Sequence, residues 1–179
     1  MRIAIHAAAL AVIGFGSAAA ADTSTPYGGW ETRQIKALSE QDIQDLRAGR
    51  GMGLALPAEL NGYPGPRHVL GLADALDLTP DQRRATERLF NEMQVEAAAL
   101  GARIIALEHR LDAAFAGGAA DKTAVGTLVA DLAKLRGELR FVHLKTHLPM
   151  RALLTKTQIE RYTRLRGYAG KHGGGRSHH

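Results

Sequence analysis

LTPDQRRATERLFNEMQVEAAALGARIIALEHRLDAAFAGG, Leu78 to Gly118, is the stretch on which the fold turns. Beyond Pro80 it contains no proline, and Leu89, Met93, Leu100, Ile104, Leu107 and Leu111 recur three, four or seven positions apart. Such spacing lays them along one stripe of an α-helix. At the start, the Thr79 hydroxyl can cap a free backbone N–H of the first turn, and Gln82 can reach back to the Thr79 N–H, closing a capping box. Pro80 suits the first helical position, where a missing donor costs nothing, and Asp81 complements the positive end of the helix dipole. A helix from Thr79 to Phe115 would be about 54 Å long at roughly 1.5 Å per residue. Gly117 and Gly118 break it.

A second long helix is expected after that break, capped by Asp121 or Thr123. Its apolar residues Val125, Leu128, Leu132, Leu135, Leu139 and Val142 keep a three-four spacing like a coiled-coil seam. The short connection Ala116–Ala120 makes the two helices antiparallel neighbours. Pro149 is expected to bend or end the second one. Then Leu154-Thr155-Lys156-Thr157-Gln158 repeats the pattern of Leu78-Thr79-Pro80-Asp81-Gln82 and opens a last helix carrying Ile159, Tyr162 and Leu165. The fold class is therefore all-α: a long antiparallel helical hairpin with short flanking helices. Because one hairpin leaves apolar edges uncovered, an intertwined two-fold homodimer is expected, with a monomeric four-helix bundle as the alternative.

The ends divide the chain. Residues 1–21, with Arg2 before an apolar run from Ile3 to Phe15 and a small-residue close at Ala19-Ala20-Ala21, read as a cleavable secretory signal. That predicts a bacterial periplasmic location. Residues 22–64 are expected to form a partly disordered segment with one short helix, capped by Ser39 and ended by Gly49 and Gly51, followed by loop up to Pro66. Asp22–Lys36 is expected to be poorly ordered. Residues 65–168 form the helical domain, with another short helix over about Pro66–Leu76, and residues 169–179 a disordered Gly/His tail.

Composition narrows the chemistry. The chain has no Cys, so disulfide staples, thiolate nucleophiles and sulfur-rich zinc sites are excluded. Its net charge is +5, with the excess near the end, where Lys145, Arg151, Lys156, Arg161, Arg164, Arg166, Lys171 and Arg176 stand against Glu160 alone. In an exported protein this charge suits acidic or unfolded proteins and lipid headgroups, and nucleic acid is not an expected partner. There is no Gly-rich phosphate loop, G-x-S-x-G elbow or H-E-x-x-H helix, so no catalytic residues are assigned and an enzyme is not expected.

Two Leu-Thr-x-x-Gln pentads bracketing a helical hairpin behind an export signal resemble the LTxxQ family of periplasmic proteins, which includes Spy/CpxP chaperones and ZraP/CnrX-type metal sensors. The resemblance covers roughly residues 60–168. It implies an all-helical, dimeric protein that holds unfolded envelope proteins on a basic and apolar face without ATP, or an envelope-stress accessory that contacts a membrane signalling protein. The residues matching the motif are Leu78, Thr79, Gln82, Leu154, Thr155 and Gln158. For client contact, Arg83, Arg84, Arg88, Arg103 and Arg151 are the candidates, interleaved with Ala97, Ala98 and Ala99.

The alternative is a metal sensor. No cofactor is required by the chaperone reading, but His143 and His147, four apart on one helix, share a face as a two-His zinc, copper or nickel site needs. Folding at the glycine turn brings Glu92, Met93 and Glu96 roughly level with them, and Met93 or Met150 would be softer ligands for copper. Glu108 and His109 are expected to face solvent.

Overall fold

The computed structural model describes residues 26–168. The expected signal peptide at 1–21 and the Gly/His tail at 169–179 lie outside them. Among the described residues the protein is all-helical, with helices α1 (Glu40–Arg47), α2 (Leu56–Glu59), α3 (Pro66–Gly71), α4 (Pro80–Ala116), α5 (Lys122–Leu153) and α6 (Lys156–Leu165). A single 3-10 turn, Trp30–Thr32, precedes them. None of these helices is long and apolar enough to cross a membrane.

α4 and α5 form the hairpin. α4 begins at the Thr79 box, with Gln82 N–H donating to the Thr79 hydroxyl at 3.1 Å and Thr79 N–H to the Gln82 side-chain oxygen at 3.1 Å. At the turn Gly118 takes φ +67°, a left-handed conformation that glycine adopts without strain. Asp121, one of the two expected caps, starts α5 by accepting from Thr123 N at 2.8 Å and Ala124 N at 2.9 Å. The seam Leu128, Leu132, Leu135, Leu139 and Val142 is buried, as its spacing requires.

α5 does not stop at Pro149. It runs one turn further, to Leu153. A proline removes one N–H from the ladder. Here that loss falls so close to the helix end that only the last turn follows it.

From Tyr27 to Lys36 the chain is described, with the Arg33 guanidinium stacked 3.8 Å over the Trp30 ring and Tyr27 edge-on to it. Ile35 and Leu38 are buried. α1, started by a Ser39–Asp42 capping box, lies across α4, so its own chain covers one flank of the hairpin. At the crossing Gly101 is essential to the fit. A Cβ there would run into the Leu46 carbonyl group, its carbon only 2.7 Å away. The region from Gly49 to Pro66, expected to be loop, also contains α2.

Two cores result. One, toward the turn, joins Ile35, Leu38, Ile43 and Leu46 to Met93, Ala97, Leu100, Ile104, Leu132, Leu135, Leu139 and Val142. The other, at the base, joins Val69, Leu76, Met150, Leu154 and Tyr162.

Candidate functional site

At the base the two pentads meet. Gln82 and Gln158 face each other, each side-chain amide donating to the other's oxygen, at 2.9 Å and 3.0 Å. The second N–H of Gln82 reaches the Leu153 carbonyl at 3.0 Å, and that of Gln158 reaches the Leu76 carbonyl at 3.2 Å. Each amide oxygen also accepts the N–H of its own cap residue, Thr79 or Thr155. Both amides thus use all their donors and both lone pairs. Leu154 is buried and Leu78 packs against the same core. The six motif residues are therefore more than two independent caps, since the second half of each box ties α4 to α6.

Beside this junction lies a buried carboxylate that sequence reading did not single out. Glu59, at the end of α2, is 6 % exposed. Its Oε1 accepts from the Tyr162 hydroxyl and from His68 Nδ1–H at 3.0 Å, with Arg166 Nε 3.7 Å away. Its Oε2 accepts Gly65 N–H at 3.0 Å. Burial alone would push this carboxyl up; the hydrogen bonds from His68 and Tyr162, with the positive charge of His68 and His147, outweigh burial and hold it down at about 2. The same burial, together with the bond to Glu59, pushes the Tyr162 hydroxyl well above its ordinary value. Only Glu59's place among Leu54, Leu56 and Leu60 hinted at this in the sequence, and that is a weak signal.

Glu59 belongs to the wall of a cavity of about 660 Å³ between the 48–56 loop, α3 and the hairpin. His143 and His147 line it too, both buried. The i,i+4 reading of their shared face is correct, and their surroundings are new. His147 Nδ1–H donates to the Tyr63 carbonyl at 2.7 Å, leaving Nε2 as the free ring nitrogen beside Gly65. His143 Nε2 is buried with no hydrogen-bond partner, and burial, helped by His147, holds its pKa below the ordinary histidine value.

The carboxylates expected beside these histidines stand elsewhere. Glu92 is exposed, and Glu96 is paired with Lys145 at 2.6 Å on the open side of the hairpin. The helical register explains this: Met93 and Ala97 take the inward positions of that stretch, which turns 92 and 96 outward. Met93 does line the histidine cavity, whereas Met150 is buried in the base core. Glu108, expected to face solvent, is 6 % exposed and bonded to Arg136 at 2.6 Å, because α5 carries a long guanidinium within reach of it.

Of the arginines proposed for client contact, Arg83 is bound to Asp74 at 2.7 Å and Arg84 to Asp81. Arg151 donates to the Gly62 carbonyl and stacks 4.5 Å over Tyr63. Arg88 and Arg103 are exposed. On the flank of the hairpin that α1 leaves open, Arg103, Ala99, Phe141 and Lys145 line a shallow groove of about 300 Å³. Phe141 is 63 % exposed, Leu148 60 % and Val95 72 %. Leu148, Arg151, Ala152 and Ile159 continue the strip toward α6. No periodic pattern singles out Phe141, which lies next to Val142 of the seam.

Comparison of the chain with protein-family models, curated proteins and solved structures returns no match.

Proposed function

We propose that this chain is an exported, ATP-independent chaperone or envelope-stress accessory protein of Spy/CpxP type, without catalytic activity, which holds unfolded envelope proteins on the open flank of its hairpin. The observation that carries this reading is the pair Phe141 and Leu148, large apolar side chains left in water on one face of α5 beside Arg103, Lys145 and Arg151. Charge would speed encounter with a client and shallow apolar contact would hold it loosely. The same strip suits pairing of two copies or docking on a membrane signalling protein. The paired pentads support the family resemblance, since they give Leu-Thr-x-x-Gln a structural reason to occur twice.

The test is light scattering from an aggregating client. Substoichiometric protein should suppress it, and Phe141→Asp/Leu148→Asp should lose at least half of that suppression with helix content unchanged. Scattering unaffected by the wild type would end the proposal.

The sensor alternative, with zinc, copper or nickel at His143 and His147, draws on the buried histidine pair. It is the weaker reading, because Glu92 and Glu96 lie outside the cavity and the carboxylates that line it, Asp45 and Glu59, already accept from donors.

A further inference from the structure

The cavity around His143 is lined by groups whose bonding needs are unequal. Its two carboxylates are served: Asp45 by Arg50 at 2.6 Å and Gln41 at 2.6 Å, and Glu59 by Tyr162, His68, Gly65 N–H and Arg166. On the other side of the balance are groups that face the space with no such partner. The His143 ring turns Nδ1 toward the 49–53 loop, 4.0 Å from where a Gly51 Cβ would stand, while its Nε2 is shielded from the space and unbonded. His147 Nε2 is free of the Tyr63 bond that fixes its other nitrogen. The exposed Arg67 lines the cavity and enters no ion pair among the described residues. Taking the lining side chains together with the three histidines neutral, Arg50, Arg67 and Arg166 exceed Asp45 and Glu59 by one positive charge. The remaining walls, Met52, Leu56, Phe90, Met93 and Ala48, are apolar.

We propose that this cavity is a binding site for a small organic monoanion, a carboxylate on an aromatic or medium-chain hydrocarbon body. The carboxylate would accept from His143 Nδ1–H and from the Arg67 guanidinium, which also supplies its charge balance, and the hydrocarbon would lie against Phe90, Met93 and Leu56. A dianion such as a phosphate ester would leave one charge uncompensated in a half-enclosed site, which is costly. A neutral alcohol would forgo the surplus positive charge. The volume falls in the range of roughly 300–1,000 Å³ typical of small-molecule sites, with the usual mix of apolar wall and few convergent polar groups. His143, buried and without a hydrogen-bond partner, would gain from a group that accepts its N–H. This site lies across the molecule from the strip proposed to hold clients, so the two readings stand or fall separately.

Calorimetric titration of the full chain with octanoate and benzoate, set beside 1-octanol and benzyl alcohol, tests the proposal. Saturable one-to-one binding of at least one acid is expected, at least tenfold tighter than that of its alcohol. Arg67→Ala, an exposed change that should leave the fold intact, and His143→Asn should each weaken it tenfold, whereas Phe141→Asp on the open flank should not. Equal affinity for acid and alcohol would overturn the proposal, as would acid binding untouched by Arg67→Ala. So would zinc chloride alone saturating the wild type but not His143→Asn, with neither acid giving heat: the cavity would then hold a metal.

Discussion

Toward the turn of the hairpin, Ile35, Leu46, Ala97, Leu100, Ile104 and Leu135 close on one another as hydrocarbon, and the fit is set by how near α1 can come to α4. At the base, where α3 and α6 meet the ends of the long helices, the apolar cluster of Val69, Leu76, Met150 and Tyr162 is ringed by hydrogen bonds: the Gln82–Gln158 pair and the donors gathered on Glu59. Apolar contact is non-directional and tolerates drift, but it fails abruptly when volume is added to a close approach. Buried polar groups are indifferent to small volume changes and fail when one partner is removed, because the other is then left desolvated. The two parts of one rod should accordingly break in different ways.

The largest effect should come from Gly101→Ala. In an isolated helix this change would gain about 1 kcal/mol. Here the added methyl meets the Leu46 backbone, which cannot swing aside as a side-chain tip could. Displacing α1 should outweigh the helical gain and leave a net loss of about 3 kcal/mol, at the upper end of overpacking costs. Hydrogen exchange should show Ile43 and Leu46 losing protection while Val69 and Tyr162 keep theirs. A variant as stable as the wild type would mean that α1 does not seat on α4.

Acid should do the reverse. Glu59 has a folded-state pKa depressed to about 2 from an ordinary 4.5. The stability this supplies is fully present above pH 4.5 and is lost as pH falls toward 2, about 3 kcal/mol in all at 1.36 kcal/mol per unit. The base should therefore loosen across that window, reported by exchange at Val69 and Tyr162, ahead of the region around Leu135. Asp42 is also held down, by its Ser39 hydrogen bonds, but it serves a cap at the edge of α1 and so should contribute less. In Glu59→Gln the difference between the two ends over this pH range should vanish; if it persists, another carboxylate governs the base.

The contrast also explains what could be read from sequence. Periodicity reports hydrocarbon, so the seam Leu128–Val142 and the stripe Met93–Ile104 were legible, with the glycine turn and both Thr boxes. The polar base was not. Glu59 acquires its meaning from Tyr162, 103 positions away, and no local pattern announces such a partner. The Gln of each pentad was read correctly as reaching back to its Thr, and its other bonds, to the opposite pentad and to a carbonyl of the opposite strand of chain, depend on tertiary contact. Histidine spacing identifies the right helix face, but counting along α4 points to Glu92 and Glu96, whereas the carboxylate beside His147 is Glu59, at the end of α2. Pro149 falls within the last turn and a half of α5 and so marks its end only approximately, because near a helix end a missing bond has little left to disrupt.

A double-mutant cycle at Gln82 and Gln158 measures how tightly the two boxes are joined. Gln82→Ala and Gln158→Ala should each cost about 1–2 kcal/mol, since each strands a half-buried amide as well as a cap. If the pair acts as one unit, the double variant should lose about 1 kcal/mol less than the sum. Additive losses would show that the amides serve their own helices only.

Thr79→Ala should be the mildest change and the one that separates cap from tie. The Thr79 hydroxyl accepts one N–H, that of Gln82, and the box keeps its return bond from Thr79 N–H to the Gln82 oxygen, which needs no Thr side chain. Pro80 still presets the first turn. The loss should be about 1 kcal/mol or slightly less, read as a small fall in the denaturation midpoint, with the Gln82–Gln158 coupling unchanged and client holding per folded molecule intact. A markedly larger loss would mean that the hydroxyl fixes the Gln82 rotamer for the opposite pentad. The boundary between local capping and long-range tying would then run through Thr79 itself.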